Sequence, residues 1–199
     1  MRYHNLLRKR HIINTVNKAL RMLGFVRRTM KHVNDIGVLK VLYNSYVRSS
    51  LDFCSSVWSP SATVWKKKIE RVQKRFVRLL CSIKSKVNYD PDRYKDLCDY
   101  FHLSTLEQRR KVSDLLLFYK ILHSKVNSSA LVSTVCLNVP PRRTRHTNVF
   151  VSAKRRLLLS KNSYVPRCVS LTNLAKSVDF FDENFLRFKH LISDFYSLT

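Results

Sequence analysis

Residues 65 to 80 read WKKKIERVQKRFVRLL. The apolar side chains Trp65, Ile69, Val72, Phe76 and Leu79 recur at steps of four, three, four and three, which is the period of an α-helix. The positions between them hold Lys66, Lys67, Lys68, Arg71, Lys74, Arg75 and Arg78 against a single acid, Glu70. One face of such a helix requires a core, and the other is a positive stripe about 24 Å long at 1.5 Å per residue. Seven like charges on one helix repel one another, and a polyanion that neutralises them is the usual physical reason for tolerating that cost. The bland alternative is a solvated face on an ordinary basic helix, so the rest of the chain has to decide.

The 199 residues hold 38 Lys and Arg against 13 Asp and Glu, a formal charge of +25. Nucleic acid is the leading partner for such an imbalance and an anionic membrane surface the second. A hydrophobic content of 45%, with 11 Phe, 9 Tyr and 2 Trp, argues for a packed core over disorder. The only glycines are Gly24 and Gly37, which excludes a Gly-rich phosphate cradle and favours helices over a meander of strands. Cys54, Cys81, Cys98, Cys136 and Cys168 are scattered without a CxxC pair; they read as free thiols in a reducing compartment and give no zinc pattern. The longest uncharged run, Val126 to Pro141, is too short and too polar to span a bilayer. The N-terminus is Arg-rich and has no acid before Asp35, as mitochondrial presequences do. The same bias continues along the chain, so an intracellular protein, nuclear or cytoplasmic and not secreted, is expected.

The expected fold is mainly α: a helical bundle over residues 1–126, a basic Pro/Arg linker or arm over 127–147, and a less regular basic segment over 148–199 with a final helix. A first helix is expected from Tyr3 to Leu23, burying Ile13, Val16, Leu20 and Leu23, with Gly24 as its left-handed terminator. Asn34 or Asp35 caps the next, whose apolar set is Ile36, Leu39, Tyr43, Tyr46, Val47 and Leu51. Pro60 interrupts the chain, and Ser61 or Thr63 caps the basic helix. Pro91 opens a short helix through Tyr94, Leu97 and Cys98. Ser104 and Glu107 form a capping box for a helix that carries Leu106, Val112, Leu115, Leu116, Tyr119 and Leu122 and ends near His123. Pro140-Pro141-Arg142-Arg143-Thr144-Arg145 reads as an extended arm laid on phosphate. Val149-Phe150-Val151 reads as a short strand, and Asp182 caps a last helix with Phe185, Phe188, Ile192 and Phe195 on one face.

No catalytic constellation assembles. The histidines lie apart, and the acids cluster only at Asp90, Asp92, Asp96 and Asp99, around a helix N-terminus where carboxylates stabilise the dipole. Phe180-Phe181-Asp182-Glu183 has one Asp and leads into a helix, so capping is its expected role. Two-metal phosphoryl chemistry needs paired carboxylates, and no aromatic-or-aliphatic, any, Asp, Asp motif occurs. The expectation is a non-enzyme without cofactor or metal.

The runs Leu39-Lys40-Val41-Leu42-Tyr43-Asn44-Ser45-Tyr46-Val47-Arg48 and Leu51-Asp52-Phe53-Cys54-Ser55-Ser56-Val57-Trp58-Ser59-Pro60 resemble the region just downstream of the polymerase palm in jockey-like non-LTR retrotransposon reverse transcriptases. Ile69-Glu70-Arg71-Val72-Gln73-Lys74-Arg75-Phe76-Val77-Arg78 is similar to that family's apolar-Glu-Arg-apolar-Gln-basic-basic helix. Leu103 to Arg110, Arg143-Thr144-Arg145 and Asn162-Ser163-Tyr164-Val165-Pro166-Arg167 follow in the family's order, covering about residues 18 to 175. The sequence departs from the family at Thr172-Asn173, where a Trp-Asn pair is usual, and at Ala175, where a proline is usual. The resemblance implies a thumb and C-terminal extension, with the catalytic aspartates on a palm and fingers upstream of Met1. It implies an RNA, DNA or RNA–DNA hybrid partner and no catalytic residue in this chain. The expected phosphate contacts are Lys67, Arg71, Lys74, Arg75 and Arg78, helped by Arg142, Arg143 and Arg145. A basic helical module for an acidic protein or an anionic membrane surface is the alternative, and competition between heparin, anionic vesicles and a hybrid separates the two.

Overall fold

The computed structural model describes residues 2–32, 35–84, 87–138, 148–151, 163–175 and 178–197. Their architecture is mainly helical, as expected. The elements are α1 (Arg2–Thr29), α2 (Ile36–Leu42), a π-helical segment (Tyr43–Arg48), α3 (Ser49–Asp52), α4 (Ser55–Trp58), α5 (Thr63–Ile83), α6 (Tyr94–Tyr100), α7 (Leu106–Leu122), α8 (Ser129–Val132), β1 (Cys136–Leu137), β2 (Phe150–Val151), α9 (Tyr164–Leu174) and α10 (Phe185–Ser197). Two compact units divide inside α7, as Met1–Arg109 and Arg110–Thr199. The division precedes the change of sequence character past Asn127 because Leu115, Phe118 and Tyr119 belong to the second core.

In the first unit α1 packs on α5, on the π-helical segment and on α3. It buries Ile12, Val16, Ala19, Leu23 and Val26, while Ile13 and Leu20 sit at the margin of the stripe. Gly24 does not end the helix: α1 continues through it to Thr29, and its φ is not positive. Burial of Val26 one turn past Leu23 outweighs the ~1 kcal/mol helix penalty of a glycine. Asp35 caps α2, its carboxylate accepting from the Gly37 N–H at 2.7 Å.

From α2 through α3 the buried residues are Leu39, Tyr43, Val47 and Leu51, a strict spacing of four. A 3.6-residue helix would drift off that line, but the π-helical segment is wound more loosely and keeps the four side chains in register. Tyr46 consequently falls outside the stripe and is 53% exposed, a correction to its expected core position. Ala62, not Ser61 or Thr63, occupies the N-cap of α5. The capping box of α7 lies one residue later than expected. Thr105 N–H donates to Gln108 Oε1 at 2.9 Å and Gln108 N–H to Thr105 Oγ1 at 3.2 Å. Ser104 instead offers its carbonyl to Gln73 Nε2, and Glu107 is drawn to Lys66.

The second unit gathers Phe118, Tyr119, Phe150, Val165, Cys168, Val169, Phe180, Phe188 and Ile192. Strands β1 and β2 pair antiparallel, Cys136 opposite Val151 and Leu137 opposite Phe150. Helix α9 is more regular than the sequence indicates; Pro166 is accommodated in its first turn, where an N–H has no intrahelical acceptor. Asp114, 2% exposed at its side chain, receives Arg167 through two bonds of 2.7 and 3.2 Å, which ties α9 to α7. Thr172 and Ala175, the departures from the family pattern, are both buried. Asn184 caps α10, accepting from the Leu186 and Arg187 N–H groups at 3.1 Å. Asp182 acts two residues earlier, accepting from the Asn184 N–H.

Candidate nucleic-acid interface

Helix α5 is amphipathic for the reason its sequence implies. Ile69, Val72, Gln73, Phe76, Val77, Leu80 and Cys81 are buried, whereas Lys67, Arg71, Arg75 and Arg78 are exposed and Lys74 is half-buried. The five cations lie at i, i+4, i+7, i+8 and i+11, which places them on one face. From Lys67 to Arg78 that face is about 16 Å long.

The buried side holds this face rigidly. Tyr43 stacks on Phe76 with ring centres 3.9 Å apart and planes 4° from parallel. Its hydroxyl donates to Gln73 Oε1 at 3.2 Å, and Gln73 Nε2 donates to the Ser104 carbonyl at 2.9 Å. Gln73 is thereby a satisfied polar group inside an apolar core. Burial first, then the charge of Glu70, pushes the Tyr43 phenol well above its ordinary pKa, so it stays a donor.

The cations differ in what they touch. Lys66 pairs with Glu107 at 2.8 Å, Lys68 lies over the Trp65 ring, Lys74 over Tyr94 and Arg78 over Tyr89. Lys67, Arg71 and Arg75 have no ion pair among the described residues. Beside the stripe runs a groove of about 750 Å³ lined by Lys66, Lys67, Arg71, Lys74, Lys95 and Glu70, among others. Glu70 accepts from the Tyr94 hydroxyl at 2.7 Å. Elsewhere in the unit Asp52 lies between Arg109, at 2.8 Å, and Arg48, at 3.9 Å. Burial first, then the like charge of Arg109, pushes the Arg48 pKa down.

The arrangement can bind an extended anion by charge and hydrogen bonding. Asp90 Oδ1 accepts from the Asp92 N–H ahead of α6, and Asp96, in the first turn of α6, pairs with Arg93; Asp99 stands at the other end of that helix, not at its N-terminus. Among the described residues no group of three His, Cys, Asp or Glu is placed to hold a metal ion, and no helix is long and apolar enough to cross a membrane. The five cysteines are free, with Cys81, Cys98 and Cys168 buried and Cys54 and Cys136 exposed. The expected arm of Arg142, Arg143 and Arg145 lies outside the described residues. Sequence reasoning did not identify the flanking tyrosines; an aromatic every five or six residues at Tyr89, Tyr94 and Tyr100 was their only signal. The chain matches no protein-family model, no curated protein and no solved structure.

Proposed function

We propose that this chain is the thumb and post-polymerase region of a jockey-like non-LTR retrotransposon reverse transcriptase, and that it grips RNA or an RNA–DNA hybrid by its backbone phosphates. The observation that carries the reading is the outward face of α5, where Lys67, Arg71, Lys74, Arg75 and Arg78 share one side of a helix whose opposite side is buried from Ile69 to Cys81, with Trp65 and Leu79 half-buried at its margin. Arginine and lysine at this spacing meet successive phosphates without reading bases, and a wide A-form minor groove suits such recognition by shape. The ordered resemblance of about residues 18 to 175 to the family supplies the identity of the partner. On this reading the catalytic aspartates belong to the upstream palm, and the chain alone extends no primer with any metal or nucleotide mixture.

The test is fluorescence anisotropy with a labelled RNA–DNA hybrid at fixed salt, competed by heparin and by anionic vesicles. The hybrid is expected to bind with little dependence on its sequence, and vesicles are expected to compete poorly. Vesicles that displace the hybrid as well as heparin does would favour the membrane-surface alternative. Reproducible Mg²⁺-dependent primer extension would overturn the non-catalytic assignment.

A further inference from the structure

The segment that follows α5 brings three tyrosines under three cations. Arg78 lies 4.6 Å from the Tyr89 ring centre, Lys74 4.9 Å from that of Tyr94, and Lys84, the C-cap of α5, 4.7 Å from that of Tyr100. The three are not equivalent. Tyr94 is buried and its hydroxyl is committed to Glu70, so it belongs to the core. Tyr100, the last residue of α6, is 49% exposed. Its ring meets the buried Phe101 edge-to-face, with centres 5.1 Å apart and planes at 83°. A core residue thus holds the ring, the residue as a whole stays half exposed, and the group over the ring is the exposed side chain of Lys84.

We propose that this end of the basic stripe is a single-strand subsite, where an unpaired base stacks on Tyr100 in place of the Lys84 ammonium, and where Lys84, turned off the ring, and Arg78 neutralise flanking phosphates. The proposal rests on the reading of α5 as the grip and adds a preference for nucleic-acid form. Unpaired bases of any sequence present a π-face to an aromatic ring, whereas the bases of a duplex are already stacked on one another. Cations beside aromatic rings are the arrangement that single-strand binders combine. The exposed neighbour Asp99 on the same helix opposes a phosphate at Tyr100 but exerts no such repulsion on a neutral base. The surface therefore separates two tasks, with backbone contact along residues 67 to 78 and base stacking beyond them.

The experiment compares a labelled single-stranded RNA with a blunt RNA–DNA hybrid of the same length, by anisotropy across a salt series. Tyr100→Ala is expected to weaken single-strand binding about 5- to 150-fold and to leave hybrid binding unchanged. Its salt slope should equal that of the wild type, because no charge is removed. Tyr100→Phe, which keeps the ring, is expected to bind as the wild type does. Ultraviolet crosslinking of the unaltered protein to bromouracil-containing single-stranded RNA is expected to map to the peptide that carries Tyr100. Equal loss on both ligands, no loss on either, or a Tyr100→Phe variant as weak as Tyr100→Ala would overturn the subsite. So would a crosslink that maps elsewhere. A protein that binds the hybrid normally while failing these tests loses the subsite alone, whereas one that binds neither form loses the grip with it.

Discussion

The carboxylate of Glu70 accepts a hydrogen bond from the backbone N–H of Leu106 at 3.1 Å. The lone acid of the basic stretch is therefore an acceptor at the first turn of α7, where an unpaired N–H and the positive end of a helix both favour a carboxylate. The same carboxylate takes the Tyr94 hydroxyl at 2.7 Å, so α5, α6 and α7 converge on one side chain. Glu70→Ala should destabilise the protein by about 1–3 kcal/mol, the cost of leaving buried donors unpaired. Glu70→Gln retains an acceptor and should lose only the charge–helix contribution, about 0.3–1 kcal/mol. Urea melts of the two variants check this, and identical losses would mean that charge alone matters at this position.

Gly24 sits in the interior of α1 with a helical neighbour on each side. A Cβ added there meets nothing closer than Arg28 Nη1 at 3.6 Å, an ordinary contact with the end of a flexible side chain. Gly24→Ala should therefore stabilise the protein by about 0.5–1 kcal/mol, through helix propensity and a less disordered unfolded chain. A melting midpoint that falls would place an unfavourable contact on that face and contradict the continuous helix.

Burial raises the Cys168 thiol well above its ordinary pKa, reinforced by the charge of Asp114, and raises Cys98 in the same direction. Tyr164 is likewise pushed up by burial first. Each of these groups is neutral in the folded state at a pH where the unfolded chain already ionises. Their contribution to stability is complete below the unfolded pKa and is lost as pH rises toward the folded one. Stability should thus decline from about pH 8.5, where free thiols ionise, and more steeply above about pH 10, where phenols do. Urea melts over that range measure the decline, and Cys168→Ala should make its onset shallower. In the native protein Cys54 and Cys136, both exposed, should react with a thiol reagent well before Cys81, Cys98 and Cys168.

The elements that proved legible in the sequence are those fixed by strong periodicity or by a single local hydrogen bond. Helix α5 and the Asp35 cap are of this kind. What was misplaced depended on tertiary context. Gly24 has the chemistry of a terminator, yet the pull of Val26 into the core carries the helix past it. The α7 box lies one residue later because Lys66, 41 positions away in sequence, takes the Glu107 carboxylate that a box at Ser104 would need, while Gln108 is free to reach back to Thr105. Tyr46 left the core because a π-helical segment changes the period, and no side chain announces that. At the candidate site the cations were visible as a run of charge. Their tyrosine partners were not, since those contacts form between separate elements.

Structure sharpens the choice of variant for the grip itself. Arg78 lies over the Tyr89 ring and Lys74 over Tyr94, so removing either also removes a contact worth about 0.5–1 kcal/mol. Lys67, Arg71 and Arg75 are exposed and make no ion pair among the described residues, and so they can be neutralised with little change to the fold. Contacts to about five phosphates give a slope of log K against log salt of roughly −3.5 to −4.5, between the single-strand and duplex limits. Replacing Lys67, Arg71 and Arg75 together by Gln should flatten that slope by about two to three units. Binding at low salt should weaken, the melting transition should stay where it is, and the loss should be the same for every sequence of equal length and form. A slope unchanged in the triple variant would show that the outward face of α5 carries no phosphate contacts, and its cations would then be an ordinary solvated surface.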